Sequence, residues 1–273
     1  GVVGGGFGGR GRGEALAAGG GRGAAGASGC ALRRGPGGTI PNDPSYPNQS
    51  WHDVMVDAPR AWSITTGSSS VLVAVVDAGI RFDHPAIAAN LTNDGYDFVS
   101  LADTTPLCAG GSITEADDGN AYDPDPTMPD DRDFDQSNNC ALGHSQVGAH
   151  GVHVAGIIGA VGNDGASVVG LNWTVRIRPV RVLGVTGSGS TFDVAQGVLY
   201  AAGLPAAGNN GGVTAPPAAG GAKIINMSLG GGCPAPGQPA VLHNASRAAP
   251  NAGRCVAVPA GDPVTAARTG CRP

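Results

Sequence analysis

The chain has 273 residues, 41% of them hydrophobic and 14% charged, which suits one α/β domain with a sizeable core. A formal net charge of −5 argues against the global basic bias of a nucleic-acid binder. No apolar run approaches the roughly eighteen residues that a membrane-spanning helix needs.

Glycine, at 48 residues, is the compositional outlier, and it is unevenly placed. Residues 1–38 are mostly Gly, Ala and Arg, with Phe7 the one aromatic. Such a stretch buries too little apolar surface to repay its ordering entropy, so it is expected to be a disordered or non-native tail without packed contacts. It has neither an initial Met nor the apolar core of a signal peptide. Its Arg-Gly tract at 6–13 could touch single-stranded nucleic acid, but Arg10 and Arg12 are too few to make that a function.

Composition changes near residue 39, so 39–273 is taken as one domain. Residues 40–50 are turn-rich, with Pro41, Pro44 and Pro47 opposing regular structure. Residues 53–63 suggest a short helix around Pro59. Residues 71–76 (VLVAVV) form a continuous aliphatic run ending at Asp77, the pattern of a strand buried on both faces. Residues 101–148 are acidic and Pro- and Asn-rich without apolar period, and read as a long surface loop.

Residues 150–160 (HGVHVAGIIGA) predict a buried helix starting near His150. Residues 174–183 predict a strand weakened by Pro179. Residues 191–203 predict a helix capped by Ser190 or Thr191, and 204–221 a further loop. A strand is expected at 222–229, a helix at 238–248 and a strand at 254–259. This alternation implies an α/β fold: a doubly wound parallel sheet with helices on both faces. Ligands of such sheets bind beyond the carboxyl ends of the strands, where Asp77, Ser228 and Asp262 fall.

The cysteines are Cys30, Cys108, Cys140, Cys233, Cys255 and Cys271, with no CxxC pair. Pairings Cys108–Cys140 and Cys233–Cys271 are favoured because each closes a loop beside an element end, while Cys255 sits in an apolar run as a buried thiol. Asn90 and Asn172 stand in glycosylation sequons.

Three segments resemble the subtilisin-like serine proteases (subtilases) when taken together and in this order. They are VAVVDAG at 73–79, HGVHVAG at 150–156 and NMSLGG at 226–231, with VRVLGVTGSG at 180–189 between them. The resemblance implies a serine endopeptidase working by an Asp/His/Ser mechanism on protein or peptide substrates. In it His150 would serve as general base and Asp77 would orient the imidazole. Gly187, Ser188 and Gly189 would form one wall of the substrate cleft. Ser228, Leu229, Gly230 and Gly231 would form the other, acting through backbone.

The resemblance also implies secretion, a monomer, no membrane or nucleic-acid partner and no required cofactor, with metal ligands unknown. Structural calcium and simple solvation are both open for Asp117, Asp118, Asp123, Asp125, Asp130, Asp131, Asp133 and Asp135. His144, His150 and His153 have a spacing that could hold a metal, but a packed helix histidine is the stronger expectation for His153.

Four departures from the family pattern stand out. Ala78 replaces Ser or Thr after the Asp, and Val152 replaces Thr. Asp262 takes the place of the oxyanion Asn, and a carboxylate cannot donate there unless protonated. No Gly-Thr-Ser-Met-Ala motif occurs, and Ser190, Ser228 and Ser246 lie on the wrong elements. The chain is therefore expected to be a peptidase domain incomplete at its C-terminus, ending before the nucleophilic serine. A non-catalytic peptide-binding relative is the alternative.

Overall fold

The structure is a computed structural model. It describes residues 2–4, 38–102, 104–116, 118–128, 132–135, 137–138, 140–144, 149–208, 212–218, 220–231 and 241–259.

In chain order the elements are β1 (Val2–Gly4), α1 (Tyr46–Met55), α2 (Ala58–Trp62), β2 (Gly67–Asp77), β3 (Tyr96–Asp97), β4 (Thr104–Pro106), β5 (Ser112–Thr114), β6 (Arg132–Asp135) and β7 (Cys140–His144). There follow α3 (His150–Gly159), β8 (Thr174–Arg181), β9 (Ser188–Ser190), α4 (Thr191–Ala202), β10 (Ala206–Ala207), β11 (Val213–Thr214), β12 (Ile224–Asn226), β13 (Gly230–Gly231), α5 (Val241–Asn251) and β14 (Cys255–Ala257).

The main sheet has the order β14-β12-β2-β8-β3, with every pairing parallel. Its two faces separate by residue parity, as a pleated strand requires. Leu72, Ala74 and Val76 of β2 and Val180 of β8 join Val194, Val198 and Ala201 of α4 and Leu242 and Ala245 of α5. Val73 and Val75 with Val175 and Ile177 join Val152, Val154 and Ala155 of α3 on the other face. Helices therefore cover both faces, which makes the sheet doubly wound.

Pro179 is tolerated in β8 because the ladder to β3 is interrupted there. Pairing passes from the Leu91–Ile177 bridge to Tyr96–Val180, and Gly95 packs directly on Pro179. Ser190 caps α4, its Oγ accepting from the Asp193 backbone N–H at 3.1 Å.

Several expectations need correction. Residues 40–50 are not wholly irregular: α1 starts at Tyr46, because Pro47 falls in its first turn, where the missing N–H costs nothing. The single helix around Pro59 is two short ones, broken at Asp57, which has a left-handed φ of 59°. Both pack through Tyr46 and Trp62 on Val169 and Trp173, and Trp62 Nε1 donates to the Leu171 carbonyl at 2.8 Å.

Residues 101–148 are more than a surface loop. They hold the antiparallel pairs β4–β5 and β6–β7 and bury Glu115, Ala116 and Tyr122. Cys108 and Cys140 form the expected disulfide across this insertion. Cys255 is exposed on β14, the edge strand, and is not the buried thiol expected. Cys30, Cys233 and Cys271 lie outside the described residues. Asn90 is buried, and its amide donates to the carbonyls of Gly159 and Trp173, so its sequon is occupied structurally. The tail expectation is corrected at one point: Val2–Gly4 pairs as a strand, while 5–37 lie outside the described residues.

Two arginines of β8 are fully buried. On the α4 face, Arg178 meets Asp94 at 2.6 Å and the Gly220 carbonyl at 2.8 Å. Burial raises the Asp94 pKa, but hydrogen bonds from Arg178 and Thr92 overcome it, and the net shift is downward. A carboxyl depressed in the fold contributes stability above its ordinary value near 3.8 and loses it as pH falls through the depressed value. Asp94→Asn should therefore remove one acid-labile contribution, seen as a smaller loss of stability between neutral pH and about pH 3 in denaturant titrations. Ile177→Ala, which empties a fully buried site between β8 and α3, should cost about 2–5 kcal/mol by the same measurement at pH 7.

Candidate active site

β2 ends at Asp77, at the carboxyl end of the central strand and on the face that α3 covers. α3 starts at His150, so its N-terminus meets that strand end. The contact is close because residue 151 is glycine. A Cβ there would lie 2.2 Å from the Gly79 carbonyl oxygen and 3.3 Å from Asp77 Oδ1. Any side chain would push the helix away.

His150 Nδ1 is 2.7 Å from Asp77 Oδ1. The carboxylate is 1% exposed and the imidazole 19%. The same Oδ1 accepts the Ala78 backbone N–H at 2.7 Å. Asp77 Oδ2 is buried with no hydrogen-bond partner among the described residues. Ala78 offers only a methyl where a hydroxyl could have donated locally. A carboxylate on Nδ1 fixes the tautomer with its proton there and makes Nε2 the basic nitrogen. The N-terminal dipole of α3 adds favourable potential for the carboxylate.

The predicted cleft walls, Gly187–Gly189 and Ser228–Gly231, fall on β9 with its preceding turn and on β13 with residues 228–229. They are not paired with one another. Between them lies β1, antiparallel to both: Val3 sits opposite Gly189 and Gly231, and Gly4 opposite Ser188 and Gly230. The walls thus form a slot one strand wide, and it is filled by backbone of the same chain. Gly187 turns the chain into β9 with a φ of 74°. Leu229 is buried in the core, so the wall at 229 can act only through backbone. Ser228 Oγ accepts from the Asn226 amide at 3.0 Å.

Other candidates fall elsewhere. His153 is exposed, not packed, on the rim of a 780 Å³ apolar cavity that α1 and α3 share through Trp51, His52, Val152 and Ile157. The His144 side chain and Asp262 lie outside the described residues. Among the described residues, no three acid, His or Cys side chains converge in a way that could hold a metal. The insertion's described carboxylates have other partners. Asp118 binds Arg181, while Asp123 and Asp125 cap the turns at Asp125 and Thr127. Asp117, Asp130 and Asp131, and the side chains of Asp133 and Asp135, lie outside the described residues. Ser190 is a helix cap and Ser246 sits on α5.

Sequence reasoning missed Arg181 and Glu115. Arg181 is fully buried and pairs with Asp97 and Asp118, while its Nη2 donates to the carbonyls of Glu115 and Ala116. Burial pushes the Asp97 carboxyl well up, opposed by the Arg181 charge and the Val99 N–H. Three arginines inside an otherwise apolar strand (VRIRPVRVL), two of them buried, were the available signal, since a buried guanidinium demands carboxylate and carbonyl partners.

Comparison with known proteins bears on this arrangement. The "Extracellular protease" of Xanthomonas campestris pv. campestris is 38% identical over 206 residues, which are 74% of this chain and 31% of that protein. The "Extracellular basic protease" of Dichelobacter nodosus is 36% identical over 202 residues, 70% of this chain and 30% of that protein. The chain therefore spans about a third of the length of these relatives. A solved structure of a protease from Pseudoalteromonas arctica aligns with a TM-score of 0.62 at 33% identity, covering 81% of this chain and 58% of that one. The subtilase family profile (Peptidase_S8) matches residues 68–269, a span that holds the Asp77 strand end, the His150 helix and both cleft walls. With fold, strand-end geometry and profile in agreement over most of its length, the chain belongs to the subtilase family.

Proposed function

We propose that the chain is the part of a secreted serine endopeptidase that carries the general base and the substrate cleft. The single observation behind this is the buried Asp77 carboxylate 2.7 Å from Nδ1 of a histidine that opens a helix. Asp77 holds the imidazole in one tautomer and stabilises its charged form. His150 Nε2 then takes a proton from the nucleophile and returns it to the leaving amine. Gly187, Ser188 and Gly189 and Ser228 to Gly231 align the substrate by strand addition, so the substrates are proteins or peptides in extended form.

The family's serine motif is absent from the 273 residues, so the nucleophile is a serine that this sequence does not supply. Asp262 at the oxyanion position withholds a donor that is worth about 100- to 1,000-fold in rate. The chain alone is thus inactive or very weak. We take the protein to be extracellular and monomeric, with no nucleic-acid or membrane partner. Among the described residues no three acid, His or Cys side chains converge as a metal site, and no step of this reading runs through a metal.

A second reading, a peptide-binding relative without catalysis, is favoured by one observation: the slot between β9 and β13 accepts a strand with no help from a nucleophile.

Casein hydrolysis separates the two. The purified chain and its His150→Ala variant should give equal, negligible signals. Joined to a C-terminal segment that carries the serine motif, the chain should hydrolyse casein in a manner abolished by His150→Ala and by a serine-directed inhibitor. Continued silence of the joined protein would favour the binding reading. Robust His150-dependent hydrolysis by the 273 residues alone would show that another serine serves. Ala78→Ser should give the orphaned Asp77 Oδ2 a donor and raise stability by about 1 kcal/mol, read from the denaturation midpoint.

A further inference from the structure

Glu115 is 3% exposed, lies in the 101–148 insertion and has no part in the Asp77–His150 pair. Its partners lie in the turn that leads into β9. Thr186 donates its backbone N–H to Oε2 at 3.1 Å, and its hydroxyl lies 2.7 Å from Oε1 and 2.8 Å from Oε2. The Thr105 hydroxyl donates to Oε1. The Glu115 carbonyl accepts the Val185 N–H at 3.0 Å and an Arg181 Nη2 hydrogen at 3.3 Å.

The turn itself is tight. Gly184 N–H donates to the Ser188 carbonyl at 2.7 Å, and Gly187 N–H to the Gly184 carbonyl at 2.9 Å. Glu115 lies directly on it: a Cβ at Gly184 would be 2.4 Å from both Glu115 Cβ and Oε2. Both Glu115 and Thr105 belong to the β4–β5 hairpin region, which Cys108 ties to Cys140 and to the Ala141 carbonyl.

We propose, resting on the reading of the β9–β13 slot as a peptide cleft, that Glu115 is a positioning residue for that cleft. The insertion carries the carboxylate as an anchor, and the anchor fixes the turn at 184–187 and hence one wall. β9 needs such an anchor. It is three residues of Ser and Gly, it has no partner strand except the occupant among the described residues, and Ser188–Ser190 offers almost no side chain to pack. A wall that recognises backbone must hold its N–H and C=O groups in register before the peptide arrives, or binding has to order it first. A buried acceptor with three donors supplies that order. The insertion thereby sets how well extended peptides bind, without touching them.

The test uses the full chain with Val3→Pro, which frees the slot by removing a backbone donor of β1, as the parent for Glu115→Ala, Glu115→Gln and Thr186→Val. Two quantities are read: amide hydrogen exchange by mass spectrometry, and affinity for a blocked, fluorescent peptide reproducing residues 2–7 (VVGGGF). Glu115→Ala should speed exchange across 184–190 and weaken the peptide, each by about tenfold, while β2, β8 and α3 keep their protection. Glu115→Gln keeps one acceptor oxygen and should recover most of both. Thr186→Val should mimic part of the Ala effect and add little to it.

Unchanged exchange at 184–190 in Glu115→Ala overturns the proposal. Loosening that spreads equally to β2 and α3 also overturns it, because Glu115 would then be an ordinary folding residue. So does selective loosening with undiminished peptide affinity. A Val3→Pro parent that binds no peptide, while Glu115→Ala still loosens only 184–190, would sink the peptide-cleft reading and support the anchor on β9.

Discussion

The Arg181 guanidinium holds the candidate site to the sheet. It is fully buried at the carboxyl end of β8, directly across the ladder from Asp77, and pairs with Asp97 of β3 and Asp118 of the insertion. An ion in that position is costly to desolvate, and it is tolerated only because carboxylates and the carbonyls of Glu115 and Ala116 surround it. Those partners come from segments distant in sequence. The same group therefore joins the sheet edge, the insertion and the turn before the cleft wall. Removing Arg181 would leave the buried Asp97 carboxylate without its cation, which is far worse than losing a surface pair.

The Asp77–His150 contact depends on a second constraint, the approach of α3 to the end of β2. Gly151 permits that approach, and the apolar contacts of Val152, Val154 and Ala155 with Val73, Val75 and Ile177 hold it. The helix is almost wholly apolar on its inner side and has no side-chain cap. Packing, not local hydrogen bonding, thus fixes where the imidazole stands. A dyad built this way is as rigid as the core beneath it.

The cleft follows a different logic. Its walls present backbone, and their side chains are small or, at Leu229, turned into the core. The observed occupant, Val2–Gly4, is the strand geometry that such a slot selects. Main-chain pairing is tolerant of sequence, and here it holds a segment of the chain itself.

Much of the fold is legible in the sequence. The aliphatic run ending at Asp77, the HGVHVAG helix and the NMSLGG segment point to the strands, the helix and the meeting of Asp77 with His150, because each signal is local and periodic. The acidic insertion is not legible. Its order comes from Arg181, the Cys108–Cys140 disulfide and the burial of Glu115, all long-range contacts that leave no period in the sequence. Pro47 misleads because proline opposes a helix interior yet suits its first turn. Cys255 misleads because an apolar strand at a sheet edge is not covered on that account. His153 misleads because an apolar helix still has one face toward solvent. The sequence by itself determined the order of β2, α3, β8, α4, β12, α5 and β14, the family and the pairing of Asp77 with His150, since these rest on residue type and spacing. Only the tertiary structure decided that the insertion packs on the turn before β9 and that the chain's own residues Val2–Gly4 lie between β9 and β13, because those contacts join segments whose proximity no local pattern encodes.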